Sequence, residues 1–249
     1  ASARLQKGRL FHDEILRSGF EKDLAVANML IFMYSRGGNM EEACSVFRML
    51  RFRNVVSWGT LLSGYMQQDR GEIVLKLIEK MDLDGIKPNT FVFSCILKAC
   101  GNLKDFEKGR QIHEEIVNTG LLTEKDIVLS TALLDMYAKC GMLVIAQQLF
   151  DKIPVRNVVS WSALIAGYVQ HERNHEAIHC FEEMQHEGIF PDSVTFICVL
   201  KACGMVRNLD KGQEIHGKIV EEEFEKEVFV GNSLIDMYAK CGSLIGAQE

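Results

Sequence analysis

Asn157-Val158-Val159-Ser160-Trp161 repeats, residue for residue, Asn54-Val55-Val56-Ser57-Trp58, which stands 103 residues earlier. The same offset of 103 relates Leu200-Lys201-Ala202-Cys203-Gly204 to Leu97-Lys98-Ala99-Cys100-Gly101. A seven-residue match joins Asp236 through Gly242 to Asp135-Met136-Tyr137-Ala138-Lys139-Cys140-Gly141 at an offset of 101. Self-similarity at a nearly fixed period marks a repeat architecture. Within each long period Trp161, Leu164, Ile165 and Tyr168 lie at i, i+3, i+4 and i+7, the stripe of an amphipathic helix. Trp58, Leu61, Leu62 and Tyr65 do the same one period earlier. After a polar break from Gln170 to Asn174, a second stripe runs through Ala177, Phe181 and Met184, and Gly188 and Pro191 close it. No stretch alternates with period two between hairpin turns, so no strand is expected. One helix pair cannot bury its apolar stripe alone, whereas stacked pairs share a continuous core. The spacing therefore predicts an all-α solenoid of helix–turn–helix units.

The rest of the composition bounds the function. The 249 residues suffice for a substantial core. Lys and Arg number 28 against 34 Asp and Glu, a net charge of −6 that argues against indiscriminate electrostatic gripping of nucleic acid. No apolar run reaches about 18 residues, so no membrane partner is expected. No basic segment with an apolar core opens the sequence, so no secretory signal is expected in it. The eight cysteines are spread through the whole length, which favours reduced thiols over a disulfide framework. Together these features lead one to expect a soluble intracellular chain.

Aligning the repeats places unit starts at residues 24, 55, 90, 127, 158, 193 and 228. The expected motifs are 24–54, 55–89, 90–126, 127–157, 158–192 and 193–227. Residues 1–23 read as the tail of a preceding unit and 228–249 as the front of another, as expected for a piece of a longer array.

The run from Val158 to Tyr168, with Glu176-Ala177-Ile178, Phe181, Met184 and the close from Gly188 to Asp192, resembles the standard motif of pentatricopeptide repeat (PPR) proteins. Leu234 through Gly242 resembles the short type, and Thr195-Phe196 with Val199-Leu200-Lys201-Ala202-Cys203 the long type. The order of lengths is similar to that of the plant PLS class, in which long, short and standard motifs alternate: 1–23 is then a partial long motif, 24–54 and 127–157 short, 55–89 and 158–192 standard, 90–126 and 193–227 long, and 228–249 a partial short motif. The resemblance implies a right-handed superhelical solenoid that binds single-stranded RNA, one base per motif, with the RNA 5′ end towards the N-terminus. It also implies a mitochondrial or chloroplast setting, a role in RNA processing (most plausibly C-to-U editing) alongside other processing proteins, and no cofactor. The fifth and last residues of a motif would then meet the base edge and the second would pack on base faces. That chemistry is reasonable for small polar side chains flanked by apolar ones.

Carried over residue by residue, the edge pairs are Asn28 with Asn54, suited to a pyrimidine; Gly59 with Asn89, weakly adenine; Thr131 with Asn157, adenine; and Ser162 with Asp192, guanine. Ser94 pairs with Asp126, although two extra residues leave the placement of Asp126 open. Ile197 with Glu227 selects no base, since isoleucine forms no hydrogen bond, and Asn232 opens a last motif whose closing residue is missing. The base-packing residues would be Ala25, Val56, Phe91, Val128, Val159, Val194 and Phe229.

Other patterns have blander accounts. His175-Glu176-Ala177-Ile178-His179 matches H-E-x-x-H, a zinc-protease pattern, but Ala177 and Ile178 sit at core positions and no third ligand can be named. His12 and His113 begin H-x-E, half of a zinc-deaminase signature whose P-C-x-x-C half is absent, and with His216 they fit helix–helix contacts. The deaminase-like domain of some relatives is thus not expected in this sequence, nor is any catalytic residue or metal site. Cys95, Cys100 and Cys140 recur as Cys198, Cys203 and Cys241, as small packing residues would. Trp58 and Trp161 head apolar stripes and are expected in the core. Lys98, Lys201, Lys139 and Lys240 could neutralise phosphates or solvate helix ends. The alternative to RNA binding is a protein-binding scaffold of tetratricopeptide type, since Trp58, Leu61 and Tyr65 match part of that repeat. Its glycine, however, is displaced here to Gly64 and Gly167.

Overall fold

A computed structural model describes residues 2–20, 23–122 and 126–243, with side chains from Gly8 onward. The undescribed positions fall in the two terminal partial motifs and at 123–125, near the end of the motif 90–126, so those parts of the expected division lie outside the described residues. The described residues are helical, with no strand among them, and no helix is long and apolar enough to cross a membrane.

The chain divides into two compact units, 1–123 and 124–249. The first holds α1 (Ser2–Ser18), α2 (Leu24–Arg36), α3 (Met40–Met49), α4 (Val55–Gln67), α5 (Gly71–Leu83), α6 (Thr90–Leu103) and α7 (Phe106–Thr119). The second holds α8 (Ile127–Lys139), α9 (Leu143–Asp151), α10 (Val158–Gln170), α11 (Asn174–His186), α12 (Ser193–Val206), α13 (Leu209–Glu221) and α14 (Val228–Lys240). Within each unit the even-numbered helices, from α2 to α14, pack on one another in succession, and each also packs on the odd-numbered helix that follows it wherever one is described. The even-numbered helices are called inner helices below, and positions are counted from their first residue.

The apolar stripes make the core. Trp161, Leu164 and Ile165 are buried, as are Trp58, Leu61 and Leu62. Phe47 meets the Trp58 ring edge-on at 4.7 Å, and Phe150 meets Trp161 at 4.5 Å. On the second stripe Ala177, Phe181 and Met184 are fully buried.

Three contacts recur between consecutive inner helices or across the layers. The first is a close approach of a twelfth residue to a tenth. A Cβ on Gly167 would lie 2.6 Å from Ala138 Cβ, and one on Gly64 would lie 2.7 Å from Ser35 Cβ. Between α12 and α14 the small residue has changed sides, and Gly204 faces Met237. The second contact ties the eleventh-position tyrosine to the outer helix before it. Tyr34 bonds His12 Nδ1, Tyr65 bonds Cys44 Sγ and Tyr238 bonds His216 Nδ1, each at 2.9 Å, while Tyr168 donates to Gln147 Oε1 at 2.9 Å. His12 and His216 thus stand at helix–helix contacts, as their recurrence predicts.

The third recurrence is in the turn that ends each inner helix. The fifteenth residue is left-handed in all seven described turns: Gly38, Asp69, Lys104, Gly141, Glu172, Arg207 and Gly242 have φ between 55° and 80°. Glycine fills this position at Gly38, Gly141 and Gly242; the other four positions hold side chains in a conformation that costs L-residues roughly 1–2 kcal/mol. Lys104→Gly is therefore expected to raise unfolding stability by about 1 kcal/mol, the relief being partly offset by the freer unfolded chain. Chemical denaturation with unchanged m-value would check it.

Candidate nucleic-acid interface

The base-edge residues named from the resemblance have a structural duty first. Asn54, Asn89, Asp126, Asn157 and Asp192 are each the N-cap of an inner helix, with the side-chain oxygen accepting the N–H of Ser57, Val92, Leu129, Ser160 and Thr195 respectively. A helix start leaves such donors orphaned, and a short polar side chain just before it is the cheapest acceptor. Ser57 and Ser160 reciprocate in capping boxes. Glu227 precedes α14 without a side-chain cap.

The cap decides what each residue has left to offer. An asparagine that spends its oxygen on the helix presents its NH2 group, a donor; an aspartate that spends one oxygen presents the other, an acceptor. Asn54, Asn89 and Asn157 thus each keep a donor, and Asp126 and Asp192 an acceptor.

The fifth residues differ among themselves. Ser162 is buried; its Oγ bonds Val158 O at 2.7 Å, Thr195 Oγ1 at 2.6 Å and Asp192 Oδ1 at 3.3 Å. The expected partners Ser162 and Asp192 are brought into direct contact, with Thr195 Oγ1 donating to the same carboxylate oxygen at 2.7 Å. Thr195 was not singled out as a site residue; its place three positions after an N-cap was the available signal. Asn28 Oδ1 and Thr131 Oγ1, the fifth-position oxygens of α2 and α8, are buried and have no hydrogen-bond partner among the described residues. Gly59 is covered by its neighbour: a Cβ there would meet the Phe91 ring at 3.0 Å, so a selecting position of one motif touches a packing position of the next. Ser94 Oγ turns back to Thr90 O at 2.9 Å. Ser94 lies in the first unit and Asp126 in the second, each described within its own unit.

The second positions form the most regular feature. Val56, Phe91, Val128, Val159, Val194 and Phe229 are each more than half exposed, and Ala25 is exposed too. An apolar side chain held out to water at one register of every inner helix is a surface awaiting a cover. Between α12 and α14 lies a cleft of about 260 Å³ lined by the second-position Phe229 together with Ile197, Lys201, Asn232, Ser233 and Asp236. Asn232 is exposed at its edge.

The lysines divide by partner. Lys139 pairs with Asp135 at 2.8 Å and Lys240 with Asp236 at 2.6 Å, whereas Lys98 and Lys201 are exposed with no ion-pair partner among the described residues. None of the eight cysteines is in a disulfide. Burial pushes Cys95 up to about 11 and Cys180 and Cys203 up to about 12, so these thiols stay protonated at neutral pH. In the H-E-x-x-H run Glu176 is ion-paired with Arg173, and His179 lies 3.7 Å from Glu183.

The PPR repeat family matches residues 53–102 and 156–205, and the single PPR repeat matches 26–55 and 128–158. A pentatricopeptide repeat-containing protein of Arabidopsis thaliana is 37% identical over 237 residues, covering 95% of this chain and 32% of the relative. Another, named chloroplastic, is 38% identical over 239 residues, covering 96% of this chain and 29% of its own length. A third, named mitochondrial, is 35% identical over 245 residues, covering 98% and 38%. The chain therefore spans about a third of the length of these curated relatives. Among solved structures, maize PPR10 in complex with an 18-nt psaJ RNA element superposes with TM-score 0.76 at 18% identity, covering 100% of this chain and 37% of that one. That likeness shows the solenoid fold.

Proposed function

The chain belongs to the pentatricopeptide repeat family, and from that premise we propose that it is a sequence-specific module for single-stranded RNA that reads one base per motif. The observation that carries this reading is the repeated register on the inner helices: an exposed apolar second residue beside a fifth residue and an N-cap with one hydrogen-bonding group to spare. Apolar faces would sandwich a base while the two polar groups meet its edge. Maize PPR10 has been solved with RNA, which supports the same ligand class here. The successive spacings of 31, 35, 37, 31, 35 and 35 residues, with the short unit recurring every third place, support the PLS subclass and the motif division given above. That subclass favours specifying a site of C-to-U editing in mitochondrion or chloroplast, with partner processing proteins, and relatives named for both organelles agree with an organellar setting.

The expected target reads, from the 5′ end, pyrimidine, adenine-like, unspecified, adenine, guanine, unspecified, pyrimidine. Binding to an oligonucleotide of that order should exceed binding to a scrambled one at matched salt; equal affinities would refute the reading. One substitution separates reading from folding. Thr131→Val is nearly isosteric and removes a buried hydroxyl that has no partner, so stability should hold or rise by about 1 kcal/mol. Preference for adenine at the corresponding base should nonetheless fall. A destabilised Thr131→Val protein in a thermal melt, or an unchanged base preference, would count against that role.

A further inference from the structure

The outer helices carry a second pair of related sites, again 103 residues apart. In the second unit a cleft of about 450 Å³ contains Glu187, whose carboxylate is held by two donors: Arg156 ion-pairs with it and Trp161 Nε1–H donates at 3.3 Å. The Arg156 guanidinium lies 4.5 Å above the Phe150 ring. In the first unit the corresponding cleft, about 510 Å³, keeps most of these parts. Arg53 lies 5.0 Å above Phe47, and Asp84 stands in place of Glu187. Asp84 is one methylene shorter. It pairs with Arg53 at 3.1 Å but leaves Trp58 Nε1–H, on a side chain only 2% exposed, with no hydrogen-bond partner among the described residues. A buried donor without an acceptor is costly, and its neighbour one period on shows what completes it.

The surrounding charges are also reversed. Arg48 and Lys80 stand where the second unit has Asp151 and Glu183, and neither has an ion-pair partner among the described residues. The cleft floor is apolar, with Phe47, Leu61, Ile73 and Leu77. It continues through Cys44, Arg48, Tyr65 and Ile73 into a second cleft of about 430 Å³ that ends at Arg70. A chain of net charge −6 thus has an apolar-floored groove between α3 and α5 whose lining sets Arg48, Arg53, Arg70 and Lys80 against Glu41 and Asp84.

We infer that this groove docks an acidic amphipathic segment of a protein partner, with one Asp or Glu carboxylate seated between Arg53, Arg48 and the Trp58 N–H. Charge alone would also accept an RNA phosphate. The carboxylate is favoured because the sister cleft holds one on the same Arg–Trp pair, and because the floor suits aliphatic side chains beside it. Arg53 and Asp84 are each about a third exposed, which lets the pair part for an incoming group.

The chain has two tryptophans, so its nitrogen–proton correlation spectrum holds two indole signals, one for each cleft. The probe is a soluble helical peptide of Glu, Ala and Leu, with a Gln-for-Glu version as control. The Glu peptide should move the Trp58 signal saturably and leave Trp161 in place, with the Gln version roughly tenfold weaker or worse. Asp84→Glu supplies the missing carboxylate from within: it should shift the Trp58 signal in the free protein, raise the melting temperature and weaken the peptide roughly tenfold. Arg48→Gln, which breaks no ion pair, should weaken it with an unchanged melt. The inference is overturned if the peptide leaves Trp58 unmoved or moves both indoles alike, or if Asp84→Glu and Arg48→Gln bind as the parent does. It is equally overturned if random-sequence single-stranded RNA moves Trp58 and the peptide does not.

Discussion

Asp192→Asn is expected to turn the base preference of the 158–192 motif from guanine to adenine. Two donors converge on Asp192 Oδ1, Thr195 N–H at 2.8 Å and Thr195 Oγ1–H at 2.7 Å, while the Ser162 Oγ, whose short hydrogen bond goes to Val158 O, stands 3.3 Å away. An asparagine must therefore keep its oxygen in that place and turn its NH2 to the groove. The cap survives, since asparagine caps as well as aspartate. What changes is the group facing the base, from an acceptor that suits the guanine N1–H and N2–H2 donors to a donor that suits adenine N1. Thr131 with Asn157 is the same combination of hydroxyl and amide elsewhere in the chain. A change of one well-placed polar contact is worth about 1–3 kcal/mol of discrimination, or roughly fivefold to over a hundredfold in relative affinity. Titration of two oligonucleotides differing only at that base, against parent and variant, measures it. A variant that still prefers guanine while retaining its melting temperature would refute the pairing of this motif with its base.

The second large effect concerns packing. Gly167→Ala should lose about 1–3 kcal/mol, although alanine is the better helix former by about 1 kcal/mol. The new methyl would stand 2.6 Å from Ala138 Cβ, an atom that no rotamer change can move, so α8 and α10 must separate. For a protein of this size each kcal/mol shifts the melting temperature by about 2–4 °C. The double variant Ala138→Gly with Gly167→Ala moves the methyl to the other side of one contact and should recover most of the loss. Gly204 facing Met237 already uses the reversed arrangement. Equal melting of parent and Gly167→Ala would remove the close approach as a determinant of helix spacing.

The inner helices were legible because their signals are local. Asn or Asp stands immediately before apolar stripes at Val55, Thr90, Ile127, Val158 and Ser193, and capping chemistry turns each pair of features into a helix start. The displaced Gly64 and Gly167 were visible as an irregularity; only the contact with the preceding helix explains them. Long-range features were not legible. Lys104 and Arg207 take a left-handed turn that sequence would reserve for glycine, because the helices on either side hold it. The tyrosine bonds join residues 21 or 22 apart and depend on which outer helix lies alongside. Thr195 escaped because its side chain serves the preceding motif. At the site, the identities of the edge residues came from the family resemblance; what each has left to offer follows from its N-cap bond.

That double duty has an evolutionary reading. At five closing positions, Glu227 being the exception, the residue that would face a base also caps the next helix, which favours side chains that can start one. Drift among Asn, Asp, Ser and Thr there would retarget the proposed reading without disturbing the scaffold, while a hydrocarbon would forfeit about 1 kcal/mol of the helix it introduces. A repeat array of this kind can wander through recognition space by single steps and remain folded at each of them, provided every step is taken in capping letters.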